Sequence, residues 1–247
     1  MFSGKFPQNG QKFHVIFDGP TAHSAVGLIF SMPCRGFLIV HIKSLFVTPL
    51  IVCEMPPESP LVANLQDAIV GRVQQDQGVM HSNLGGWQSD VNALEWLGEA
   101  GQMLIAEVTG IIDRMTVVLT PQGLQAVPID WKVDAWANVS NHGHQNAGHY
   151  HPGSYWSAVF YVDDGGINGR DHIGGAIEFN DPRGPAPVMA APTVKMALAG
   201  CLTAGLGERH FPKTGELLIF PSWLHHSVTP YFGNSQRISI AMNFAAR

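Results

Sequence analysis

Charge is scarce in this sequence. Its 14 Lys and Arg and 19 Asp and Glu make up only 13% of 247 residues, the formal net charge is −5, and no run of basic residues occurs. A surface for a phosphate backbone needs clustered Lys and Arg, so nucleic acid is not an expected partner. Cysteine is rarer still. Cys34, Cys53 and Cys201 lie far apart without a CxxC spacing. Neither a disulfide framework nor a thiolate zinc site is indicated, and a cytoplasmic location is expected. Long apolar runs are missing too. The most apolar stretch, "GFLIVHIKSLFVTPLIV", is broken by His41, Lys43 and Pro49, whereas a spanning helix needs about 20 mostly apolar residues, so no membrane contact is expected. Near the amino terminus "AVGLIF" is too short for a signal peptide and no small-residue cleavage site follows it. Residues 1–35 lack clear periodicity and are expected to form a loosely ordered extension, in which Met32 is a second candidate start.

What is present is apolar substance, 45% of the residues, enough for one sizeable core. "LFVTPLIV" reads as a strand, with Pro49 marking an edge position. "SPLVANLQDAIVGRVQQDQ" offers Ser59 as a cap, Pro60 at the first helical position, and Leu61, Leu65, Ile69 and Val73 at every fourth place, the face of a helix. "SNLGGWQS" is a turn-rich connector, and "SDVNALEWLGEAGQMLIAEVTGIIDRM" predicts a second amphipathic helix. From about residue 115 short β-rich runs follow one another between Gly, Pro and Asn: "MTVVLTP", "DAWANVS", "WSAVFYV", "GAIEFND", "ELLIFPS" and "RISIAMNF". This pattern predicts a mainly β fold with N-terminal helices, an antiparallel jelly-roll barrel. One domain is expected over 36–247, with a helical layer at about 59–114 and the jelly-roll core at about 115–247.

Histidine carries the chemistry. In "AGHYHPGSYWSAVFYV", His149 and His151 stand two positions apart, a spacing that turns both rings to one face of an extended segment. Imidazole suits iron, zinc, copper and nickel, and two such ligands need a third group from elsewhere. His142 and His144 repeat the same spacing nearby, so the pair alone is weak evidence, and both read as loop residues near an entrance. A second stretch, "GELLIFPSWLHHSVTPYFGNSQRISIAMNF", supplies His226 and, eleven residues on, Arg237. A guanidinium on an apolar strand needs an anionic partner if it points inward. Arg237 and Ser239 share a strand face and together fit one end of a dicarboxylate. An edge position facing solvent is the plain alternative for Arg237. Asn138, Asn146, Trp156 and Arg183 are further pocket candidates, each equally compatible with strand packing, a turn bond or a surface ion pair.

Taken together, "HPGSYWSAVFYV", "DPRG", "LLIFPSWLHHSV" and "RISIAMNF", with "LFVTPL" and "SNLGGWQS" earlier, resemble the iron(II)- and 2-oxoglutarate-dependent oxygenases. The likeness is to the prolyl-hydroxylase-like branch and to a group of such oxygenases from bacteria and phages. It runs from about Leu45 to Phe244. The resemblance implies a double-stranded β-helix, Fe(II) as cofactor and 2-oxoglutarate as cosubstrate. Metal ligands would be His149, His151 and His226, the last preferred over His225 by the Val-x-Pro that follows it. The cosubstrate would be held by Arg237, Ser239 and Tyr161. The implied reaction converts 2-oxoglutarate to succinate and CO2 while a C–H bond of a further substrate, a peptide or protein side chain or a small molecule, is hydroxylated.

One departure stands out. None of the 12 histidines is followed two positions later by Asp or Glu, so the carboxylate usual in that superfamily is missing. Either His151 takes its place, or an acid arrives from elsewhere, with Asp163, Asp164, Glu178 and Asp181 as candidates. Two other classes stay open. A cupin-like metal-binding protein or isomerase also uses HxH, but follows it with a glutamate where this chain has Tyr155 and Trp156. A catalytically inactive oxygenase relative would accommodate the missing acid. The oligomeric state is not legible.

Overall fold

The computed structural model describes residues 44–198 and 200–247, so the expected extension over 1–35, with Met32, lies outside the described residues. The chain separates into two units, Met1–Thr48 and Pro49–Arg247. Of the first, only 44–48 are described, and they form no helix or strand. All that follows concerns the second.

Alternating side chains build it. Strands β1 (Ile51–Glu54), β2 (Asn83–Leu84), β3 (Trp87–Gln88), β4 (Val118–Thr120), β5 (Gly123–Gln125), β6 (Trp131–Ser140), β7 (Gln145–His149) and β8 (Trp156–Asp163) are followed by β9 (Ile177–Asn180), β10 (Gly207–His210), β11 (Glu216–Pro221), β12 (His226–Val228) and β13 (Arg237–Ala246). They form a six-stranded sheet, β1-β11-β8-β13-β6-β3, a five-stranded sheet, β10-β9-β12-β7-β2, and the β4-β5 hairpin. All named strand pairs are antiparallel. The fold is mainly β with few helices.

The six-stranded sheet is apolar on one face. Ile238, Ile240, Met242 and Phe244 of β13 and Trp156, Ala158, Phe160 and Val162 of β8 join one buried cluster with residues of helices α1 (Pro60–Val73), α2 (Ala93–Trp96) and α3 (Gly98–Arg114). A fourth short helix, α4, spans Ala186–Ala190. The Ser59 hydroxyl accepts from Leu61 N–H at 3.3 Å and caps α1. Leu65 and Ile69 are buried on its core face, flanked by the half-buried Leu61 and Val73. On the sheet's opposite face Tyr161, Leu218 and Phe220 pack with Ile177 and Phe179 of β9 in a second cluster. This is the period of two at work: one strand serves two compartments.

Three expectations change. The strand expected in "LFVTPLIV" begins only at Ile51, after Pro49, whose missing N–H would break the ladder. The single second helix is two, because Gly98 adopts φ +61 and turns the chain between α2 and α3. The "SNLGGWQS" connector contributes an edge strand to each sheet: β2 pairs β7 and β3 pairs β6. Gly85 and Gly86, both near φ +75, make the turn between them.

Candidate metal and anion site

Register brings the histidines together. β7 and β12 pair with His149 directly opposite His226, and their ring centroids lie 4.5 Å apart. His151 is not on the strand. β7 ends at His149, and the chain then crosses toward β8, with His151 N–H donating to Ser222 O at 3.1 Å. Its ring nevertheless stands 4.8 Å from that of His149 and 5.1 Å from that of His226. One nitrogen from each of the three lies within 4.8 Å of the others.

The ring nitrogens are oriented for this. His149 Nδ1 donates to Ala147 O at 2.7 Å, and His226 Nδ1 donates to Leu224 O at 2.8 Å. Each bond fixes the tautomer and leaves Nε2 as a free lone pair. His151 Nε2 sits 3.3 Å from His226 Nε2. Charge is disfavoured here. Burial, then His226 and His149, push the His151 ring down to about 3. Burial pushes His226 down to about 4; the bond to Leu224 opposes this, and His149 and His225 reinforce it. Burial and His225 lower His149 as well, against the bond to Ala147. At neutral pH all three are uncharged, which is what a metal ligand must be.

No carboxylate joins the cluster among the described residues. Asp163 accepts from Gly165 N–H and Asp164 from Gly166 and Asn168 N–H. Glu178 pairs with Arg209, and Asp181 with Arg183. All four acids offered as alternatives are thus engaged elsewhere.

The other end of the same cleft is built on β13. Arg237, Ser239, Ala241 and Asn243 line it from one strand, with Trp136 and Asn138 of β6 and Ser157, Val159 and Tyr161 of β8 alongside. Ser239 stands opposite both Asn138 and Tyr161. Arg237 points inward and is only 2% exposed. Its guanidinium carbon lies 5.1 Å from the centre of the Tyr161 ring. Among the described residues it has no carboxylate within ion-pair distance. Burial lowers its pKa, with Tyr161 and Tyr231 pulling the other way. Arg237 Nε, Tyr161 OH and Asn138 Oδ1 are all buried without a hydrogen-bond partner. Buried orphans of this kind are rare and call for a ligand. Burial pushes Tyr161 up to about 12, against the pull of Arg237, so its phenol stays a donor. Three neutral imidazoles at one end, and at the other a buried cation whose Nε–H and neighbouring Tyr161 hydroxyl are orphaned donors, fit a metal ion and an organic acid; Asn138 Oδ1, an acceptor, would take a donor instead.

Other histidines fall outside. His225 turns away and packs its ring 4.8 Å from Tyr150. His142 packs against Phe232, and His144 Nδ1 accepts from Asn141 N–H. Asn146 and Asn138 do line the cleft, whereas Trp156 points into the core, donating to Thr116 Oγ1, and Arg183 grips Asp181 at the surface. Trp136, Ser157 and Asn243 are cleft residues that sequence reasoning missed. The alternation Trp136, Asn138, Ser140 against Ala135, Ala137, Val139 was the available signal for the first.

Residues 134–243 match the family model described as "Putative 2OG-Fe(II) oxygenase". The family uses Fe(II) and 2-oxoglutarate. No curated protein matches the sequence. Among solved structures, a Trichoplax adhaerens prolyl hydroxylase in complex with a hypoxia-inducible-factor peptide is similar at 14% identity and TM-score 0.56, over 79% of this chain and 83% of its own. A Pseudomonas putida prolyl-4-hydroxylase is similar at 17% identity and TM-score 0.55, over 80% and 92%. A non-heme α-ketoglutarate-dependent carbocyclase of nogalamycin biosynthesis is similar at 10% and 0.54, over 80% and 79%. These likenesses are of fold.

Proposed function

We propose, from the match of residues 134–243 to the 2OG-Fe(II) oxygenase family model and from the geometry of the cleft, that this protein is a dioxygenase hydroxylating a C–H bond with conversion of 2-oxoglutarate to succinate and CO2. The two sheets then form a double-stranded β-helix, one catalytic domain over about 36–247 preceded by an extension at 1–35, acting in the cytoplasm. His149, His151 and His226 would hold Fe(II), which when bound supplies the activation of dioxygen. The cleft beside the three imidazoles would take the cosubstrate. Arg237, Ser239 and Tyr161 would grip the far carboxylate of 2-oxoglutarate: the guanidinium offers charge, and the serine and protonated phenol offer donors. Phe220, whose ring centre lies 4.8 Å from that of His226, and Val159 and Ile177 elsewhere in the lining would limit water in the cleft. The substrate is a peptide or protein side chain or a small molecule.

The observation that carries this reading is the pairing within one cleft of a three-imidazole cluster and a buried arginine that, among the described residues, has no carboxylate partner. A cupin-type isomerase has no use for Arg237 at that position. The test is Fe(II)-dependent succinate formation from 2-oxoglutarate by the purified protein, lost in His226→Ala and in Arg237→Met. Iron binding without any succinate would instead favour an inactive relative, a reading supported by the absence of a carboxylate from the cluster.

A further inference from the structure

His149 and His226 each have Nδ1 tied to a backbone carbonyl. His151 has no such tie. Its Nδ1 faces the side-chain amide of Asn243, with Nδ2 at 3.0 Å. The amide's Oδ1 lies 2.8 Å from Ser157 Oγ, which lies 3.0 Å from Ser222 Oγ. Asn243 and Ser157 are directly opposed on β13 and β8, and both serines are 1% exposed. The row is sealed from bulk water at its serine end.

Its polarity has a consequence. With Nδ2 toward the ring, the amide donates to His151 Nδ1, so the neutral ring must carry its proton on Nε2. That proton points at His226 Nε2, 3.3 Å away, which can accept it because His226 Nδ1 is the donor to Leu224. Ser157 then donates to Asn243 Oδ1, and both ring nitrogens of His151 have a partner. A ring in this state cannot ligate a metal through Nε2. The two ends of an amide are isosteric, however, and a half-turn of Asn243 gives a second arrangement of the same row. His151 Nδ1–H donates to Oδ1, Nδ2 donates to Ser157 Oγ, and Ser157 donates to Ser222 Oγ. His151 Nε2 is now a lone pair beside those of His149 and His226.

We infer that Asn243 is a positioning residue whose amide reverses when a metal ion binds, moving His151 between two neutral tautomers. This rests on the metal-centre reading above and adds to it how the ligand in the unusual position is held. The proton balance is closed: the ring loses a proton from Nε2 and gains one at Nδ1 through solvent, with no change of charge. Serine hydroxyls suit the row because each can exchange donor for acceptor by rotating. A carbonyl in place of Asn243 would lock His151 in the ligating state, as it does its two neighbours, so the amide makes this ring the adjustable one.

The test uses Zn(II), a redox-silent probe, with the full chain. Nitrogen-15 NMR of the histidine rings should show His151 protonated at Nε2 without metal and at Nδ1 with Zn(II), while His149 and His226 stay protonated at Nδ1 in both. Asn243→Leu, similar in volume, should weaken Zn(II) binding by about 10- to 100-fold, the usual effect of removing such a partner. Asn243→Asp, which can only accept, should bind at least as tightly as the unaltered protein and hold His151 at Nδ1–H before metal is added. Thermal unfolding of both variants reports whether they fold, and Ser157→Ala, with a smaller loss of affinity, stands in if Asn243→Leu does not. A wild-type His151 already protonated at Nδ1 without metal, or unchanged affinity in Asn243→Leu, overturns the proposal. A wild-type protein that binds no Zn(II) overturns the metal-centre reading and this inference with it, whereas normal Zn(II) binding with a fixed tautomer overturns this inference alone.

Discussion

Arg237→Met is expected to make the ligand-free protein more stable while abolishing its response to 2-oxoglutarate. The guanidinium is buried, its Nε lacks a partner, and among the described residues no carboxylate pairs with it. Desolvating an ion costs several kcal/mol, and replacing buried charges with apolar groups of similar volume commonly stabilises by about 1–4 kcal/mol. The contact with the Tyr161 ring returns up to about 2 kcal/mol of that cost. Setting a mid-range gain of about 3 kcal/mol against a return of about 1–2 kcal/mol leaves a net gain of about 1–2 kcal/mol. For a unit of this size each kcal/mol is worth about 2–4 °C in Tm, so the variant should melt about 2–8 °C higher. The unaltered protein, with 2-oxoglutarate at 100 times its Kd, should gain about 2.7 kcal/mol, or about 5–11 °C, and the variant nothing. Differential scanning calorimetry with and without cosubstrate, in metal-loaded protein, reads both effects. A variant that melts lower than the parent and is still shifted by 2-oxoglutarate would refute the assignment of an unpartnered, anion-seeking cation.

Three more expectations concern the scaffold. Burial alone would raise Asp181, but Arg183 and the N–H groups of Gly205 and Arg183 hold it down to about 2. Because the folded value lies below the unfolded one of about 3.9, its contribution is complete above about pH 4 and lost as pH falls through 2. Asp181→Asn should therefore cost about 1–2 kcal/mol in urea unfolding at pH 7, discounted for the half-exposed Arg183, and the gap to the parent should close toward pH 2; a gap constant across that range would contradict the linkage. Gly98→Ala and Gly215→Ala both place alanine at positive φ, +61 and +83, a strain of about 1–2 kcal/mol. Only at Gly215 would the new methyl also meet backbone, the Met55 carbonyl oxygen at 2.3 Å, whereas nothing lies within 4 Å at Gly98. Gly215→Ala should accordingly be worse by about 1–3 kcal/mol, and equal Tm losses would show that Met55 yields freely.

The strands were legible where both faces carry a message. Trp156, Ala158, Phe160 and Val162 alternate with Ser157, Val159 and Tyr161, and the former went to the helices and the latter to the cleft. The cap at Ser59 and the spacing of Leu65 and Ile69 gave α1 for the same reason. His226 was separable from His225 only through the resemblance, by the Val-x-Pro that follows it, and the structure turns His225 toward Tyr150. Two-residue strands such as β2 and β3 show no period at all, so "SNLGGWQS" could be read only as a turn. The break at Gly98 was hidden because the apolar spacing continues through it. Asn243 is a polar residue in an apolar strand, and its meaning depends on two serines, Ser157 of β8 and Ser222 just after β11, brought to it from elsewhere in the chain. His151 reached the cluster by a crossing segment rather than by strand geometry, a path no spacing rule describes.

The small connector at residues 82–89 governs how the molecule could be shortened. A fragment beginning at Asp134 would retain all three histidines and Arg237, yet β6 would lose its β3 neighbour, β7 would lose β2, and β11 would lose β1. Both sheets would acquire raw edges with open N–H and C=O groups, and the apolar face normally roofed by α1 and α3 would lie bare. Such a remnant is a template for aggregation. Anyone seeking a minimal catalyst from this chain must therefore keep the helices and their glycine clasp, although none of the proposed reacting groups resides there.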